Sequence, residues 1–578
     1  MSARAGVEGV GLLEAEHQRE KALNPLQSED SVVEGKVTWR NLPQKKQLLL
    51  LALCRLSTPL SNACLLPYLY YLVKSILSDP EHPSAPQQIS RLTGLLVAAY
   101  PLGQMSTSMI WGRLSDHYGR KPAILLGLFV SVTANLAFGF SRTIGMLLFW
   151  RVLAGMANGM LGVMRTMTAE IVKDRKYHTR AFLALPVVFN SGRVAALAIG
   201  GCLADPVKNI PWLFGPRGLF NFYHHPEGVS LHETSSLAFT DNSIQVAWAL
   251  VYPYALPALF NGAVLATCLI LAFLWLKESL PSRENSWDPG LVVGRVISNL
   301  FTKKTRRLRS GYSAIQIEEN QSLSANLLIT ESGSGSSTPI RAKPASRRSG
   351  LRGIWTRPLV KTLIAFGLLP LHNATFLHVF PVFLSMPTAP NSNATIVRFT
   401  GGLGLASPTV GLYLASFGIC GILLQLFIYP RIQKYVGNLG VFRIASAIFP
   451  AAYLLAPYLT LLSGHNTAQW VAMATVLFLQ VMGRTMAMPS SVILLTEAAP
   501  RRDVLGTVHG AGSTLSALSS AVGPVIGGML LAKGIDIGVI GLVWWSWLLL
   551  VALVALGWSC GLEIEEKGEE AKLETQLE

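Results

Sequence analysis

Residues 112–122 read Gly-Arg-Leu-Ser-Asp-His-Tyr-Gly-Arg-Lys-Pro, a short charged stretch between two long apolar runs at 93–111 and 123–140. Its two glycines allow neighbouring helices to approach closely and turn sharply. Its single acid, Asp116, is surrounded by three cations. An exposed ion pair contributes little stability, but a pair that forms in one conformation and breaks in another makes a latch. The residues predicted to form this latch are Gly112, Arg113, Asp116, Gly119, Arg120 and Lys121.

The composition of the 578-residue chain indicates a polytopic membrane protein. Hydrophobic residues make up 51% and charged residues 14%, with a mean hydropathy of +0.41, whereas a soluble chain carries roughly a quarter charged residues. The net charge of +16 would suggest a nucleic-acid partner in a soluble protein, and none is expected here. The six cysteines lie in or beside apolar runs without a CxxC pair, so no metal site and no cofactor are predicted.

Twelve apolar runs are long enough to cross a bilayer, which takes about 20 residues of helix. They lie near 47–76, 92–111, 122–140, 143–165, 181–204, 247–276, 359–386, 404–429, 439–463, 468–496, 504–532 and 536–561. The sequence therefore predicts an all-α membrane protein with twelve transmembrane helices. Most of its 48 Lys and Arg residues fall on the side that holds both tails. Because cytoplasmic loops are rich in Lys and Arg, both termini are predicted to be cytosolic.

The composition shifts along the chain predict five regions. They are a disordered cytosolic tail (1–46), an N-terminal six-helix bundle (47–276) with a non-cytosolic loop (205–246), a basic Ser/Gly-rich cytosolic linker (277–358), a C-terminal six-helix bundle (359–561) and an acidic cytosolic tail (562–578). The linker is predicted to be a flexible tether, and a lipid-headgroup patch switchable by phosphorylation stays open as the alternative. Asn393 opens an Asn-Ala-Thr glycosylation sequon on the non-cytosolic side.

An internal repeat relates the two halves. Residues 112–119 align without gaps on 430–437, which read Pro-Arg-Ile-Gln-Lys-Tyr-Val-Gly, so that Lys434 stands where the first half has its acid. Residues 196–201 likewise match 523–528. Such a repeat predicts two homologous bundles that rock about a midplane cavity. The single acid predicts a latch that is stronger in the N-terminal half.

The pattern G-R-L-S-D-x-x-G-R-K at 112–121 resembles the loop between helices 2 and 3 of the major facilitator superfamily. With Trp111 and Pro122 beside it, the motif is similar to the zinc-induced-facilitator-like branch of fungi and plants, related to drug:proton antiporters. The resemblance implies two pseudo-symmetric six-helix bundles and transport by alternating access. It also implies a proton-coupling role for Arg151, which matches the family's R-x-x-x-G motif. The antiporter Gly-Pro kink of span five is missing from 192–201.

Ionisable groups inside the spans are costly, so each is a functional hypothesis. The interior cations are four arginines and the titratable interior groups are two histidines, whereas acids occur only at span ends. Arginine cannot lose its proton in a protein, so a histidine or a peripheral acid would have to carry any coupled proton. The candidate substrate or coupling residues are Arg55, Arg151, Arg193, Arg484, His372, His378, Asn190, Gln104 and Tyr100.

Interior cations without interior acids favour an anionic substrate. We expect Arg193 and Arg484 to hold an organic anion, with Arg55 as a third contact, because guanidinium grips a carboxylate or phosphate through two parallel hydrogen bonds. The alternative, that these arginines bond to backbone carbonyls and the histidines are packed side chains, stays open. An inside-negative potential assists anion export by about 2.3 kcal/mol per charge and 100 mV.

The function predicted is a secondary active or facilitated transporter, most simply an efflux pump for a metabolite or xenobiotic. The alternatives are a zinc or zinc-chelate related proton-coupled transporter and a non-transporting transceptor. No enzyme motif is recognised. The expected partners are a small organic anion, protons if transport is coupled, and the lipid bilayer, with the protein a monomer. The plasma membrane is favoured over the vacuolar membrane.

Overall fold

The computed structural model describes residues 44–77, 85–172, 175–214, 249, 251–280, 282–283, 287–306, 355–389, 395–462, 466–500 and 505–562. Nearly all of the predicted tails, most of the non-cytosolic loop, the larger part of the linker and the sequon residue Asn393 lie outside these residues.

The described part of the chain is helical, and its one β feature is an isolated bridge between Phe399 and Val539. The N-terminal half contains α1 (Lys45–Cys54), α2 (Ser57–Asn62), α3 (Leu69–Leu77), α4 (Pro86–Tyr118), α5 (Arg120–Gly139), α6 (Ile144–Ala157), α7 (Leu161–Ile171), α8 (Arg175–Leu203), α9 (Pro206–Asn209), α10 (Pro211–Phe214) and α11 (Ala255–Trp275). The linker contributes α12 (Pro289–Arg306). The C-terminal half contains α13 (Arg357–Ser385), α14 (Ser407–Leu423), α15 (Tyr429–Leu455), α16 (Asn466–Glu497), α17 (Leu505–Asp536) and α18 (Leu550–Cys560).

Seven of the described helical stretches are long and apolar enough to cross a membrane. One of them, Ser407–Leu462, turns at Gly437 and so contributes two segments. The remaining four predicted runs also contain helices. These are the broken first segment, the 33-residue α4 and two shorter apolar helices at Val187–Leu203 and Trp544–Cys560. The predicted all-α membrane fold is therefore confirmed, and the count of twelve transmembrane helices stays a prediction.

The first segment is divided into three short helices, α1 to α3. Pro67 lies in the non-helical stretch between α2 and α3, where its missing N–H and fixed φ disfavour continuation of the helix. The break leaves backbone carbonyls free to accept bonds from side chains. Irregular backbone of this kind occurs at membrane depth only where protein or a cavity supplies partners.

The two bundles meet through α4 against α17 and α8 against α14. Glycines permit both contacts, since a Cβ on Gly94 would lie 3.3 Å from the Cα of Gly528, and one on Gly201 would lie 2.9 Å from the Cα of Gly411. Both contacts lie at the distal face, the end of the bundles where α4 begins and α17 ends. The opposite end, where α1 begins and α18 ends, is called the terminal face below. Helix against helix thus closes the structure at the distal face.

Candidate functional site

The charged stretch at 112–122 forms a tight turn at the terminal face. Helix α4 ends at Tyr118 and α5 begins at Arg120, so that Gly119 alone joins them with a φ of +111°. A Cβ at Gly119 would also lie 2.5 Å from a carboxylate oxygen of Glu278. Glycine is therefore required here both by the backbone conformation and by the close approach of the linker.

Arg120 is the centre of the ionic contacts at this turn. Its guanidinium pairs with Asp116 at 2.5 Å and with Glu170 at 3.1 Å, and donates to the Ser115 hydroxyl at 2.7 Å. The Arg120 side chain is only 9% exposed, whereas that of Asp116 is 68% exposed. All three partners belong to the N-terminal bundle, so the predicted latch residue Asp116 contacts its own bundle in this conformation.

The start of the linker forms part of the same cluster. The backbone N–H groups of Arg120 and Lys121, which have no partner within α5, donate to the Glu278 carboxylate at 2.9 and 3.0 Å. The Lys121 ammonium pairs with Asp288 at 2.6 Å and donates to the Phe273 carbonyl at 2.8 Å. Sequence reasoning counted Glu278 among the acids at span ends but connected neither Glu278 nor Asp288 to this turn, although acids that follow an apolar run opposite a basic turn were the available signal.

The aligned turn of the C-terminal half has a similar backbone conformation at its glycine but different side-chain contacts. Gly437 has a φ of +69°. Asn438, at the position of Arg120, accepts from Gln433 at 2.7 Å and donates to Glu497 at 2.9 Å. Within the described residues, this turn contains no ion pair.

A cavity of about 150 Å³ lies between the bundles, near the middle of the helices. It is lined from the N-terminal side by α8 and from the C-terminal side by α13, α14 and α16. Arg193 and Arg484 line it from opposite bundles. The Asn190 side-chain amide, from α8, donates a hydrogen bond to the Gln425 side chain at 3.1 Å, and both residues line the cavity. The structure thus brings together three of the predicted site residues.

The two arginines of this cavity have no protein partner in the described part of the chain, since neither makes a hydrogen bond or an ion pair there. Both are half-buried, and their like charges act on each other. Gln480 also lines the cavity, and its Oε1 is buried without a hydrogen-bond donor. Sequence reasoning missed this glutamine, which was recognisable as a polar residue within an apolar span. The cavity therefore offers two cations and one free acceptor.

Arg55 belongs to a separate polar network in the N-terminal bundle. It donates to the Thr58 hydroxyl and stacks 4.6 Å above the Phe189 ring. Thr58 in turn donates to Asn158, whose amide donates to Gln104 at 2.9 Å. The structure thus joins Arg55 to Gln104 and places both outside the lining of the central cavity.

Arg151 is 2% exposed and surrounded by acceptors. It donates to the carbonyls of Ser61 at 2.5 Å and Leu96 at 3.3 Å, and to the Asn62 side chain at 2.8 Å. Its guanidinium lies 5.0 Å from the centre of the Tyr100 ring. Arg151 therefore ties the broken first segment to α4.

The two histidines of α13 occupy different surroundings. His372 lies within the C-terminal bundle, with its Nδ1 2.7 Å from the Tyr453 hydroxyl and its ring packed edge-on against Phe449. His378 reaches across the bundle interface, with its Nε2 3.1 Å from the Thr93 hydroxyl. Its Nδ1 is buried without a partner. No group of three or more His, Cys, Asp or Glu side chains that could hold a metal occurs among the described residues.

Two helical bundles around a shared cavity that contains two arginines, with a charged turn at one end, are the arrangement of a membrane transporter. A family model described as Major Facilitator Superfamily matches residues 51–222. The major facilitator superfamily multidrug transporter mfsB of Aspergillus fumigatus is 30% identical over 532 residues, which cover 89% of this chain and 82% of that protein. The chain belongs to the major facilitator superfamily, so the recognised resemblance is confirmed.

Further matches support the branch and the fold. Protein ZINC INDUCED FACILITATOR 1 of Arabidopsis thaliana is 25% identical over 484 residues, covering 82% of each chain. A solved D-xylose-proton symporter superposes with a TM-score of 0.55 at 12% identity, over 88% of this chain and 96% of that one. The human organic anion transporter MFSD10 gives a TM-score of 0.51 at 16% identity, over 89% and 99%. Because the sequence identities to these two solved structures are low, the likeness to them shows the fold alone. The protein is a multi-pass membrane transporter, and its relatives are transporters.

Proposed function

We propose that the protein exports a small organic anion, which it binds in the central cavity between Arg193 and Arg484 and releases by alternating access. The observation that carries this proposal is the pair of guanidinium groups, one from each bundle, without an acidic partner in the described part of the chain. Buried charge without compensation is costly. A carboxylate or phosphate that bridges the two cations would supply the missing charge and the hydrogen bonds together.

An anion held from both sides would also drive the conformational cycle. Like charges on α8 and α16 oppose each other until the anion arrives, after which both are drawn to it. A ligand shifts an equilibrium by its differential affinity for the two states, and a bridging anion has higher affinity for the state in which the arginines are close. Export in particular is supported by the multidrug relative and by the inside-negative potential, worth about 2.3 kcal/mol per charge and 100 mV.

The remaining lining predicts what the rest of the substrate looks like. Asn190, Gln425 and the free Gln480 acceptor can bond polar groups. The apolar wall contains Phe376 and Phe380 on α13. This combination suits an anion that carries an apolar or aromatic skeleton, since ligand sites pair apolar walls with a few placed polar groups.

The site residues outside the cavity have roles of their own in this proposal. We assign the turn at 112–121 to gating and, on the Lys/Arg distribution, propose that both termini are cytosolic. We favour the plasma membrane over the vacuolar membrane as the location. Any coupled proton would be carried by a histidine or a terminal-face acid, because Arg151 cannot release one.

The test is an untargeted mass-spectrometric comparison of medium and cell extract. The strains carry no transporter, the wild type, Arg193→Gln, or Arg357→Gln as a control that removes an exposed cation far from the cavity. We expect carboxylates or phosphates to accumulate in the medium with the wild type and with the control, and to stay inside with Arg193→Gln. Displacement of only neutral or cationic compounds would refute the anion proposal.

A zinc-chelate substrate is a second candidate, supported by the plant relatives. A chelating organic anion keeps negative carboxylates available for the two arginines, whereas bare zinc calls for imidazole, thiolate or carboxylate ligands. Vesicles loaded with zinc alone, with chelator alone or with both distinguish these cases. Zinc movement that needs the chelator supports this candidate, and movement of zinc alone contradicts it.

A further inference from the structure

A second, larger cavity of about 790 Å³ lies at the terminal face, outside the helix bundles. It is formed by the beginning of α1, the end of α11 and the linker helix α12. Its polar lining contains three cations, Lys46, Lys277 and Arg295, and its apolar lining contains Leu49, Leu50, Leu274, Trp275 and Leu291. None of the three cations forms an ion pair in the described part of the chain.

Helix α12 is firmly seated at this cavity. A Cβ on Gly294 would lie 2.2 Å from the Leu274 carbonyl, so the linker helix packs against the end of α11 without intervening side chains. Asp288 accepts from the Leu291 N–H at 3.2 Å and so caps the helix, while its second oxygen pairs with Lys121. The predicted flexible tether thus begins as an ordered element.

The outward side of the same helix is apolar. Val292, Val293 and Val296 are 41%, 46% and 55% exposed, and Trp287 just before the helix is 81% exposed. An amphipathic helix with a Trp at its end is typical of segments that lie in the plane of the membrane interface. Since α1 and α11 are expected to enter the bilayer at this level, the cavity would open at the depth of the lipid headgroups.

We propose that this cavity binds an anionic phospholipid, with its phosphate held by Lys46, Lys277 and Arg295 and its acyl chains along the leucines. The charge is complementary, since Lys and Arg clusters at the cytosolic ends of membrane helices attract anionic headgroups. The apolar lining is matched by acyl chains and has no counterpart in a free phosphate. The bound lipid would join α1, α11 and α12 and so stiffen the turn that Asp288 and Lys121 connect.

Native mass spectrometry of the purified full-length protein tests the proposal, with phosphatidylserine and phosphatidylcholine as probes. The variant Lys46→Gln/Lys277→Gln/Arg295→Gln removes the three cations, and Arg357→Gln/Arg431→Gln/Lys434→Gln removes three exposed cations of the C-terminal half as a charge-matched control. Each cation near an anionic surface contributes about fivefold in affinity, so we expect the first variant to lose about 100-fold for phosphatidylserine. We expect the control to bind like the wild type.

Three outcomes with these variants and lipids would overturn the proposal. Equal loss in the control variant would mean a diffuse charge effect, and equal affinity for phosphatidylcholine would mean an apolar groove only. Displacement of phosphatidylserine by millimolar inorganic phosphate would make free phosphate the occupant.

A truncated protein that ends at Leu562 is a further test, because the acidic residues 563–578 could occupy a basic cavity. Unchanged lipid binding by the truncated protein supports the proposal, and binding that appears only after truncation contradicts it.

Discussion

Arg151 and Arg193 look alike in the sequence, each a lone arginine within an apolar span, but their surroundings differ. Arg151 donates to three acceptors, two of them backbone carbonyls, one in the broken first segment and one in α4. Arg193 lies beside a cavity and makes no hydrogen bond or ion pair within the described residues. The two arginines therefore differ in burial, since Arg151 is 2% exposed and Arg193 is half-buried, and in the number of protein acceptors around them. We propose that the lack of protein acceptors around Arg193 leaves it available to bind a ligand.

The largest effect is expected for Arg151→Leu. This change leaves the Ser61 and Leu96 carbonyls and the Asn62 side chain without their donor, and each lost bond to a charged group costs about 1.5–3 kcal/mol. We expect a markedly lower midpoint of thermal unfolding for the detergent-purified protein. Arg151→Lys retains the charge and one or two of the bonds, so its midpoint of thermal unfolding should lie between those of the wild type and Arg151→Leu. A variant with the wild-type midpoint but no transport would instead assign Arg151 to the transport chemistry.

Arg193→Gln and Arg484→Gln are expected to lower the affinity for the substrate without lowering the stability of the protein. Neither change breaks a bond to a described residue, and each removes a like-charge repulsion, so the midpoint of thermal unfolding should stay or rise. Affinity for the transported anion should fall about tenfold to hundredfold, because bonds to charged groups are worth about 1.5–3 kcal/mol. Equilibrium binding and thermal unfolding of the same preparations provide the check. Loss of stability without loss of affinity would contradict the contrast with Arg151.

The features that depend on composition and local sequence pattern could be predicted from the sequence. Apolar runs gave the span positions, and the charged stretch predicted the turn at Gly119 that the backbone adopts. The two arginines facing the cavity were singled out as well. What could not be predicted is which acceptors surround each cation. The partners of Arg151 are 55 to 90 residues away along the chain, and they depend on where helix α2 ends.

The linker was harder to predict for a different reason. Its composition, rich in Ser, Gly and cations, is typical of a tether, and residues 307–354 lie outside the described residues. Its beginning is fixed by two acids, Glu278 and Asp288, that bond to the turn between α4 and α5. Residues 277–306 contain only three acids, which change the composition very little, yet two of them determine where the chain goes.

The two aligned turns allow a smaller contrast between the halves. Gly119 and Gly437 both have positive φ, where a side chain costs about 1–3 kcal/mol. A Cβ at Gly119 would in addition collide with Glu278, whereas a Cβ at Gly437 meets nothing within 4 Å. We expect Gly119→Ala to lower the midpoint of thermal unfolding more than Gly437→Ala. Equal shifts would mean that Glu278 moves aside freely.

A small loss of stability is expected for Asp116→Asn, which is also the most direct test of the asymmetric latch. Its carboxylate is 68% exposed, so the pair with Arg120 should contribute no more than about 1 kcal/mol. We nevertheless expect transport to fall severalfold, because in the proposed gating role Asp116 exchanges partners when the terminal face closes. The matched control is Glu497→Gln in the C-terminal half, where the acid accepts only from Asn438 among the described residues. If initial transport rates drop equally in both variants, the latch is symmetric, and if neither drops, Asp116 is not a gate.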